Sequence, residues 1–291
     1  MAQRALLLVN RHARRGGADL AEAIERLQQS GVDVVPEAVE QSWDLADTIR
    51  QHRNQVDQVI VAGGDGTLNW AIEGLLDTQL PLGVLPLGTA NDLARTLGIP
   101  LTLPEACDVI IQGNCQRIDL GWVNNRYFFN TGSLGLTVQI SRKLSREAKH
   151  RWGVLAYGMT GFQILRESPP FWAELRLDGG TVHRLRSVLI VVANGRYWGG
   201  RLTIAPDASV CDQRLHICSL NIEHWWQFVP TLPALWSGKY GDYSEWIQGF
   251  ECQEVEIRTL TPYDINTDGE STAQTPAHFR VVPSALSVFV P

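Results

Sequence analysis

The chain has 291 residues and a formal net charge of −6, with 44% apolar and 19% charged residues. This composition is typical of a globular protein, and two domains are expected at this length. The acidic balance argues against a general nucleic-acid binder, because phosphate contacts need a basic surface. Five cysteines without a Cys-x-x-Cys pair indicate reduced thiols in the cytoplasm.

The N-terminal apolar run Ala5 to Val9 is too short for a signal peptide. No uncharged apolar segment reaches the roughly 20 residues of a membrane-spanning helix. We therefore expect a soluble cytoplasmic protein. Its ten tryptophans leave open a peripheral location at the inner membrane, since indole favours half-wet positions.

Strands and helices alternate in the first third of the chain. Continuous apolar runs predict strands at Ala5 to Val9, Val32 to Val35, Val59 to Ala62 and Pro81 to Leu87. Helical spacing of apolar residues predicts helices over Asp19 to Gln29, Asp44 to Arg50 and the residues after Thr67. This alternation predicts a parallel α/β sheet, which binds ligands at the carboxyl ends of its strands.

Two glycine-led turns follow neighbouring strands, at Gly63 to Thr67 and at Gly88 to Asp92. Free backbone amides next to a helix N-terminus suit an anionic phosphate. Asp65 would repel bare phosphate, so we expect Mg²⁺ or a transferable proton beside it. The second turn alone could be a simple helix cap. Two polar turns at one sheet edge favour a shared nucleotide pocket.

The chain lacks a Walker A sequence and has only three lysines, Lys143, Lys149 and Lys239. P-loop NTPases and protein kinases need a phosphate-contacting lysine in a specific context. Both classes are therefore disfavoured.

After about Gln116 the pattern changes to short strands bounded by turn residues, which predicts a second, mostly antiparallel β domain. The predicted strands are Ile118 to Val123, Arg126 to Thr131, Trp172 to Asp178, His183 to Ala193, Arg214 to Ser219 and Gln253 to Thr259. The predicted turns are Asn124-Asn125, Asp178-Gly179-Gly180 and Asn194-Gly195.

Three further segments each have two interpretations. The helical stretch Val138 to Leu165 carries a basic cluster between Arg142 and Arg151, either a solvated face or a patch for phosphates or an anionic membrane. The segment Trp225 to Trp246 is either core packing or the lining of a lipid cleft. The turn Asp268-Gly269-Glu270 is either a surface hairpin or a source of the acid that phosphoryl transfer needs.

Six segments, in order along nearly the whole chain, resemble the diacylglycerol kinase catalytic domain shared by bacterial lipid kinases and by sphingosine and ceramide kinases. They are Gly63 to Asn69, Leu85 to Asp92, Asn130 to Gly135, Ala193 to Gly200, Ile204 to Ala208 and Asp268 to Glu270. The resemblance implies an N-terminal α/β domain with a Rossmann-like parallel sheet over residues 1–122. It also implies a C-terminal antiparallel β-sandwich over residues 123–284, a last strand at about 285–291 that returns to the first domain, and an active cleft between the domains.

The activity implied by this resemblance is transfer of the γ-phosphoryl group of ATP, with Mg²⁺, to a hydroxyl of a lipid such as diacylglycerol. Two alternatives stay open: an enzyme of the NAD kinase type, and a catalytically weak lipid-binding regulatory module. The expected partners are a lipid substrate and a membrane surface, without nucleic acid, and a homodimer is left open.

The resemblance also implies roles for particular residues. The implied catalytic residues are Glu270, Asp268 and Asp65. Glu270 is favoured as proton acceptor and Asp268 as its metal-linked or orienting neighbour, although these two roles could be exchanged. The implied nucleotide site comprises Asn10, Gly63, Gly64, Asp65, Gly66, Thr67, Leu68, Asn69, Gly88, Thr89 and Asn91.

A structural metal site is implied at Asp212 with backbone oxygens of Ser209 and Arg214. The chain departs from the family pattern here, because Gln213 follows Asp212 where the family has glycine. It departs again after the first strand, where Asn10 is followed by Arg11-His12-Ala13-Arg14-Arg15-Gly16 in place of Pro-x-Ser-Gly. Val39 stands where the family often has threonine.

Overall fold

The computed structural model describes residues 3–10, 17–39, 44–136, 169–199, 202–203, 205–206, 208–240 and 245–291. The first half contains β1 (Arg4–Asn10), α1 (Gly17–Gln29), β2 (Asp33–Val39), α2 (Leu45–His52), β3 (Gln58–Gly63), α3 (Asp65–Thr78), β4 (Leu82–Pro86), α4 (Asp92–Thr96) and α5 (Leu103–Gln112). The predicted helix Val138 to Leu165, with its basic cluster, lies outside the described residues.

The second half is mostly strands. They are β5 (Cys115–Val123), β6 (Arg126–Phe128), β7 (Thr131–Gly135), β8 (Phe171–Leu177), β9 (Val182–Ser187), β10 (Leu189–Ala193), β11 (Tyr197–Trp198), β12 (Leu202–Thr203), β13 (Leu215–Leu220), β14 (Ile247–Cys252), β15 (Glu254–Thr259), β16 (Asp264–Thr267), β17 (Glu270–Gln274) and β18 (Ala277–Phe289). Between β13 and β14 the chain forms α6 (Phe228–Ser237). None of the helices in the described ranges is long and apolar enough to cross a membrane.

Four parallel strands in the order β2-β1-β3-β4 form the N-terminal part of a ten-stranded sheet. Their apolar runs are continuous because helices cover both faces, and all six residues of β3 are buried. The predicted α/β domain is confirmed. The third helix begins earlier than predicted, since Gly64 is its N-cap and Asp65 its first residue. The predicted loop from Asp65 to Thr67 is therefore the first helical turn.

The ten-stranded sheet continues past β4 into the second half of the chain. Strand β18 lies parallel to β4, with Val288 paired to Leu82, and runs antiparallel to β5 and β15. A separate six-stranded antiparallel sheet has the order β14-β13-β10-β7-β16-β17. Apolar residues from both sheets share one core, including Phe128 and Phe279 from the first sheet and Ile190 from the second. The predicted antiparallel C-terminal domain is confirmed, and the long sheet supplies one layer of its sandwich.

Two strands that the sequence predicts as continuous are each divided in two. The stretch from His183 to Ala193 splits into β9, in the ten-stranded sheet, and β10, in the six-stranded sheet. The stretch from Arg126 to Thr131 splits in the same way into β6 and β7. At both places the chain crosses from one layer of the sandwich to the other. These corners are hidden because Val188 alone separates β9 from β10, and Phe129 and Asn130 separate β6 from β7, so that no glycine or proline marks either crossing.

Candidate active site

The two glycine-led turns contact each other directly at the carboxyl ends of β3 and β4. A Cβ atom on Gly64 would lie 2.9 Å from the Cα atom of Gly88, and a Cβ atom on Gly88 would lie 2.6 Å from the Cα atom of Gly64. The Leu87 amide donates a hydrogen bond of 2.9 Å to the carbonyl of Gly63. Glycine is required because backbone meets backbone here, and the two turns form one surface.

Asp65 connects the first turn of α3 to α4. Its Oδ1 atom accepts a hydrogen bond of 3.1 Å from the Leu93 amide. Asn91 closes the second turn on itself, because its Oδ1 accepts from the Gly88 amide at 2.9 Å and its Nδ2 donates to the Gly88 carbonyl at 3.0 Å. Asn91 has a φ of 52° and is buried, so its side chain supports the turn from within. Thr89 is exposed on the same turn.

The other predicted nucleotide residues occupy different layers around this surface. Thr67 is buried beneath Gly63, whose added Cβ atom would lie 2.6 Å from the Thr67 Cβ atom. Leu68 belongs to the apolar core. Asn69 follows on α3 with its buried Oδ1 atom unpartnered among the described residues. Asn10 ends β1 beside β3, at the same edge of the sheet.

Asp268 is the first residue of a two-residue hairpin between β16 and β17, and both turn residues have positive φ, 45° for Asp268 and 98° for Gly269. This is the Asp-Gly chemistry of a tight hairpin. The Asp268 carboxylate accepts backbone hydrogen bonds from Phe129 at 2.8 Å, from Asn130 at 3.1 Å and from Thr131 at 2.9 Å. These three amides lie at the corner between β6 and β7. The Asp268 side chain thus attaches the β16–β17 hairpin to the corner at which the chain crosses from one sheet to the other.

The Asp268 residue is half-buried, with its carboxylate directed onto these amides. Burial raises the pKa of Asp268 to about 7, and the nearby negative charge of Asp65 adds to the rise. The amides of Thr131, Phe129 and Asn130 oppose it by favouring the anion. The repulsion from Asp65 shows that the late acidic turn and the start of α3 face one another.

Glu270 makes a direct side-chain contact between the two halves of the chain. Its Oε1 atom accepts a hydrogen bond of 3.1 Å from the indole Nε1–H of Trp70, 200 residues away in the sequence. The same oxygen lies 3.8 Å from the position that a Cβ atom on Gly66 would take. The carboxylate of Glu270 therefore lies against the first turns of α3, next to the Gly64–Gly88 surface.

Asn194-Gly195, predicted as a simple turn, is a buried junction. The Asn194 side-chain Nδ2 donates to the carbonyls of Asp119 at 3.1 Å and Phe129 at 2.8 Å. A Cβ atom on Gly195 would lie 3.1 Å from Asn130 Oδ1 and 3.3 Å from Thr96 Oγ1. Glycine is needed at 195 because α4 and the β6–β7 corner approach the backbone closely there.

Asp212, the predicted structural metal ligand, has both carboxylate oxygens occupied by hydrogen-bond donors. Oδ2 accepts from the Ser209 amide at 2.9 Å and lies 2.9 Å from His216 Nε2, while Oδ1 accepts from the Arg214 amide at 2.9 Å. No cluster of three or more potential ligands among His, Cys, Asp and Glu occurs in the described residues. The Asp212 carboxylate stabilises a turn through these hydrogen bonds. The metal site at Asp212 with backbone oxygens of Ser209 and Arg214 stays a prediction.

Three side chains in or near the site are absent from the sequence-based expectations. Trp70 lies one helical turn after Gly66, a spacing that brings it to the same face of α3. Asp119 is buried within β5 and accepts amides from Gln213 at 2.8 Å and Ser284 at 2.7 Å. Asp119 could have been singled out from the sequence, because it is an acid inside the otherwise largely apolar run Ile118 to Val123. His216 carried no comparable signal.

Comparisons with known proteins agree with this architecture. Residues 4–123 match the family model of the diacylglycerol kinase catalytic domain, and residues 132–290 match that of the YegS C-terminal NAD kinase beta sandwich-like domain. A diacylglycerol kinase of Staphylococcus aureus strain bovine RF122 / ET3-1 is 29% identical over 276 residues, which cover 94% of this chain and 87% of the relative.

Solved structures give the same result. A Bacillus anthracis strain Sterne protein, provisionally named a diacylglycerol kinase, superposes with a TM-score of 0.86 at 25% identity and covers 99% of this chain and 97% of its own. An NAD kinase of Archaeoglobus fulgidus, solved in complex with ATP, has a TM-score of 0.52 at 15% identity, covers 98% of this chain and 93% of its own, and shares the fold alone.

The fold and the two family matches define a kinase of two domains, an α/β domain followed by an antiparallel β domain. The chain belongs to the family of the YegS C-terminal NAD kinase beta sandwich-like domain, which matches residues 132–290, and its residues 4–123 match the diacylglycerol kinase catalytic domain.

The raised pKa of Asp268 predicts a specific pH dependence of stability. The folded protein holds this proton more tightly than the unfolded chain, whose carboxyl titrates near 3.8. The contribution of Asp268 to the free energy of unfolding should therefore fall as the pH rises from about 4 to 7 and stay level above that. Urea denaturation across this range should give a difference between wild type and Asp268→Asn that shrinks with rising pH. A constant difference would contradict the raised pKa.

The occupied carboxylate of Asp212 predicts that Mg²⁺ does not stabilise the protein in the absence of nucleotide. The melting temperature should be the same with Mg²⁺ and with EDTA, because a ligand stabilises only the state that binds it. Asp212→Ala should lower the free energy of unfolding by about 2 kcal/mol, since it leaves two amides and His216 without their acceptor. A Mg²⁺-dependent rise in melting temperature that Asp212→Ala removes would instead establish the metal site.

Proposed function

We propose that the protein is an ATP-dependent lipid kinase that transfers the γ-phosphoryl group of ATP to a hydroxyl of a lipid such as diacylglycerol. The observation that carries the proposal is the contact of Glu270 with the start of α3. It combines an anion-binding helix N-terminus with a carboxylate suited to accept a proton. Phosphoryl transfer requires both groups, together with in-line positioning of the reactants.

The phosphates of ATP are proposed to bind on the surface formed by the two glycine turns. The first amides of α3 point out of its N-terminus, where the helix dipole favours negative charge. Neither Gly64 nor Gly88 has a side chain that could cover these amides. Thr89 and Asn10 are proposed contacts at the same edge, the first because it is exposed and the second because it ends β1.

Asp65 is the residue proposed to hold Mg²⁺. Its Oδ1 atom is fixed by the Leu93 amide, while no described residue donates a hydrogen bond to its other oxygen. One or two carboxylates with phosphate and water oxygens are the usual ligands of Mg²⁺, so this half-buried side chain fits the ion. Bound there, Mg²⁺ would neutralise charge on the transferring phosphoryl group. Asp65 itself also links the two phosphate-binding turns.

Glu270 is proposed as the base that receives the proton of the attacking lipid hydroxyl. The Trp70 indole holds Oε1, and no described residue donates to the second carboxylate oxygen. An oriented carboxylate with one open oxygen is suited to general-base catalysis. Asp268 is assigned the orienting role, because its carboxylate is used by three amides of the β6–β7 corner.

A lipid acceptor is supported by the relatives, which are named diacylglycerol kinases, and by the late acidic turn that the site includes. The NAD kinase likeness extends to the fold alone at 15% identity. The decisive experiment incubates the purified protein with labelled ATP, Mg²⁺ and a panel of acceptors that includes diacylglycerol, sphingosine, ceramide and NAD. We expect label in a lipid product. Transfer to NAD alone, or to none of these acceptors, would reject the proposal.

Glu270→Gln should reduce kcat by at least about 100-fold with little change in the KM for ATP, because it removes a general base without altering size. The substituted amide can still accept the Trp70 hydrogen bond through its oxygen. Glu25→Gln on the exposed surface of α1 is the matched control and should keep full activity. Near-normal turnover by Glu270→Gln would remove this residue from the chemistry.

A further inference from the structure

Helix α6 is apolar on both of its faces. Thr231, Ala234 and Leu235 are buried, and Ala234 and Leu235 pack into a core with residues of β10 and β13. The opposite face exposes Trp226 by 52%, Val229 by 53%, Leu232 by 40% and Trp236 by 59%. Val229, Leu232 and Trp236 have the spacing of one helical stripe, and Trp226 in the preceding turn continues this stripe. We call them the α6 apolar face.

Such a face is unusual on a protein surface. Of the nine large apolar side chains that are exposed in the described part of the chain, four lie within residues 226–236. A helix that is apolar all round is normally buried, and a contiguous apolar patch marks an interaction site. Scattered exposure would not need an explanation, whereas this clustering does.

The composition of the α6 apolar face favours a lipid surface. Residues 224–241 contain no Asp or Glu, and the acids Glu223 and Asp242 flank this stretch on its two sides. The groups of this stretch that can carry positive charge are His224 and Lys239, both exposed, one at each end. The His224 ring stacks on Trp226, with centroids 6.0 Å apart and an angle of 17° between the planes. Tryptophans beside basic groups are typical of segments that lie in a membrane interface.

A short pair of strands links the α6 apolar face to the candidate active site. Thr203 of β12 donates its hydroxyl to the carbonyl of Trp236 at 3.4 Å and accepts from the hydroxyl of Tyr240 through its own carbonyl. Strand β12 pairs with β11, and β11 packs against α4. Helix α4 is the one whose Leu93 amide holds Asp65. Among the described residues, the β11–β12 pair and α4 thus connect the exposed Trp236 with Asp65.

We propose that the α6 apolar face docks the protein on an anionic phospholipid bilayer and brings the cleft to the membrane from which the lipid acceptor comes. The tryptophans at its two ends would enter the interface while His224 and Lys239 meet lipid phosphates. This inference rests on the proposed function for its choice of occupant, and it can be tested separately from catalysis.

The first test is co-sedimentation with vesicles made of equal parts phosphatidylglycerol and phosphatidylcholine. Trp226→Ser/Trp236→Ser should weaken binding by at least about tenfold, because two indoles leave the interface. Trp172→Ser is the matched control, since Trp172 lies on β8, remote in the fold, with a similar exposure of 55%. It should bind like wild type. Equal binding by the double variant, or an equal loss in the control, would overturn the proposal.

The second test separates docking from chemistry. The double variant should keep wild-type kcat/KM towards a short-chain diacylglycerol dispersed as monomers, and it should lose at least about tenfold towards long-chain diacylglycerol in the same vesicles. A loss with both substrates would contradict a docking role. If wild type phosphorylates neither, the proposed function fails while the sedimentation result still decides docking. A solution dimer that dissociates in the double variant would assign the face to a second copy and overturn the proposal.

Discussion

The carboxylate of Asp268 is the constraint on which the candidate site depends. Three consecutive residues at the β6–β7 corner, Phe129 to Thr131, direct their amides to it, and buried amides need such an acceptor. By satisfying them, Asp268 fixes the β16–β17 hairpin relative to the sandwich. Glu270 begins β17, so its position against Trp70 follows from this attachment. The hydrogen bonds of Asp268 with these three amides support the proposal that it orients Glu270, although the family resemblance ranks it with the catalytic groups.

Strand β18, in which the chain returns to the parallel strands, connects the first half of the chain with the sandwich to which Asp268 attaches the hairpin. Strand β18 is shared between the parallel strands and the sandwich, since it pairs with β4, β5 and β15. Where it bends, the buried Asp119 accepts the Ser284 amide and also the Gln213 amide. A continuous sheet therefore connects the parallel strands with one layer of the sandwich, and Glu270 lies on the other layer, in the six-stranded sheet.

The parallel strands and glycine turns could be predicted because their signals are local. Buried strands such as β3 are continuous apolar runs, and the Gly63-Gly64 and Gly88 turns are short enough to be seen directly in the sequence. The start of α3 at Asp65 was missed because a glycine-rich turn and a first helical turn have the same composition. The two sheet crossings were missed for another reason: one or two residues separate the strands at each crossing, and none of them is a glycine or proline that would mark a turn.

The central contacts of the site could not be predicted from local patterns. The pairing of Trp70 with Glu270 joins residues 200 positions apart, and nothing in either segment specifies the other. The family resemblance placed Asp65, Asp268 and Glu270 in one site. It predicted neither the hydrogen bond from the Trp70 indole nor the hydrogen bonds from the three backbone amides. The contact of Asp212 with His216 likewise could not be predicted, because it depends on His216 lying across the turn.

For a lipid acceptor, the position of the α6 apolar face has an energetic consequence. Moving one acyl chain of about 15 methylenes fully into water costs roughly 12 kcal/mol, at about 0.8 kcal/mol for each methylene. A kinase avoids this cost when the chains stay in the bilayer and only the hydroxyl reaches the base. This requires a membrane-facing surface close to the mouth of the cleft. Because contacts run from Trp236 through the β11–β12 pair to α4, docking through α6 would place the membrane on the same connected elements as the candidate site.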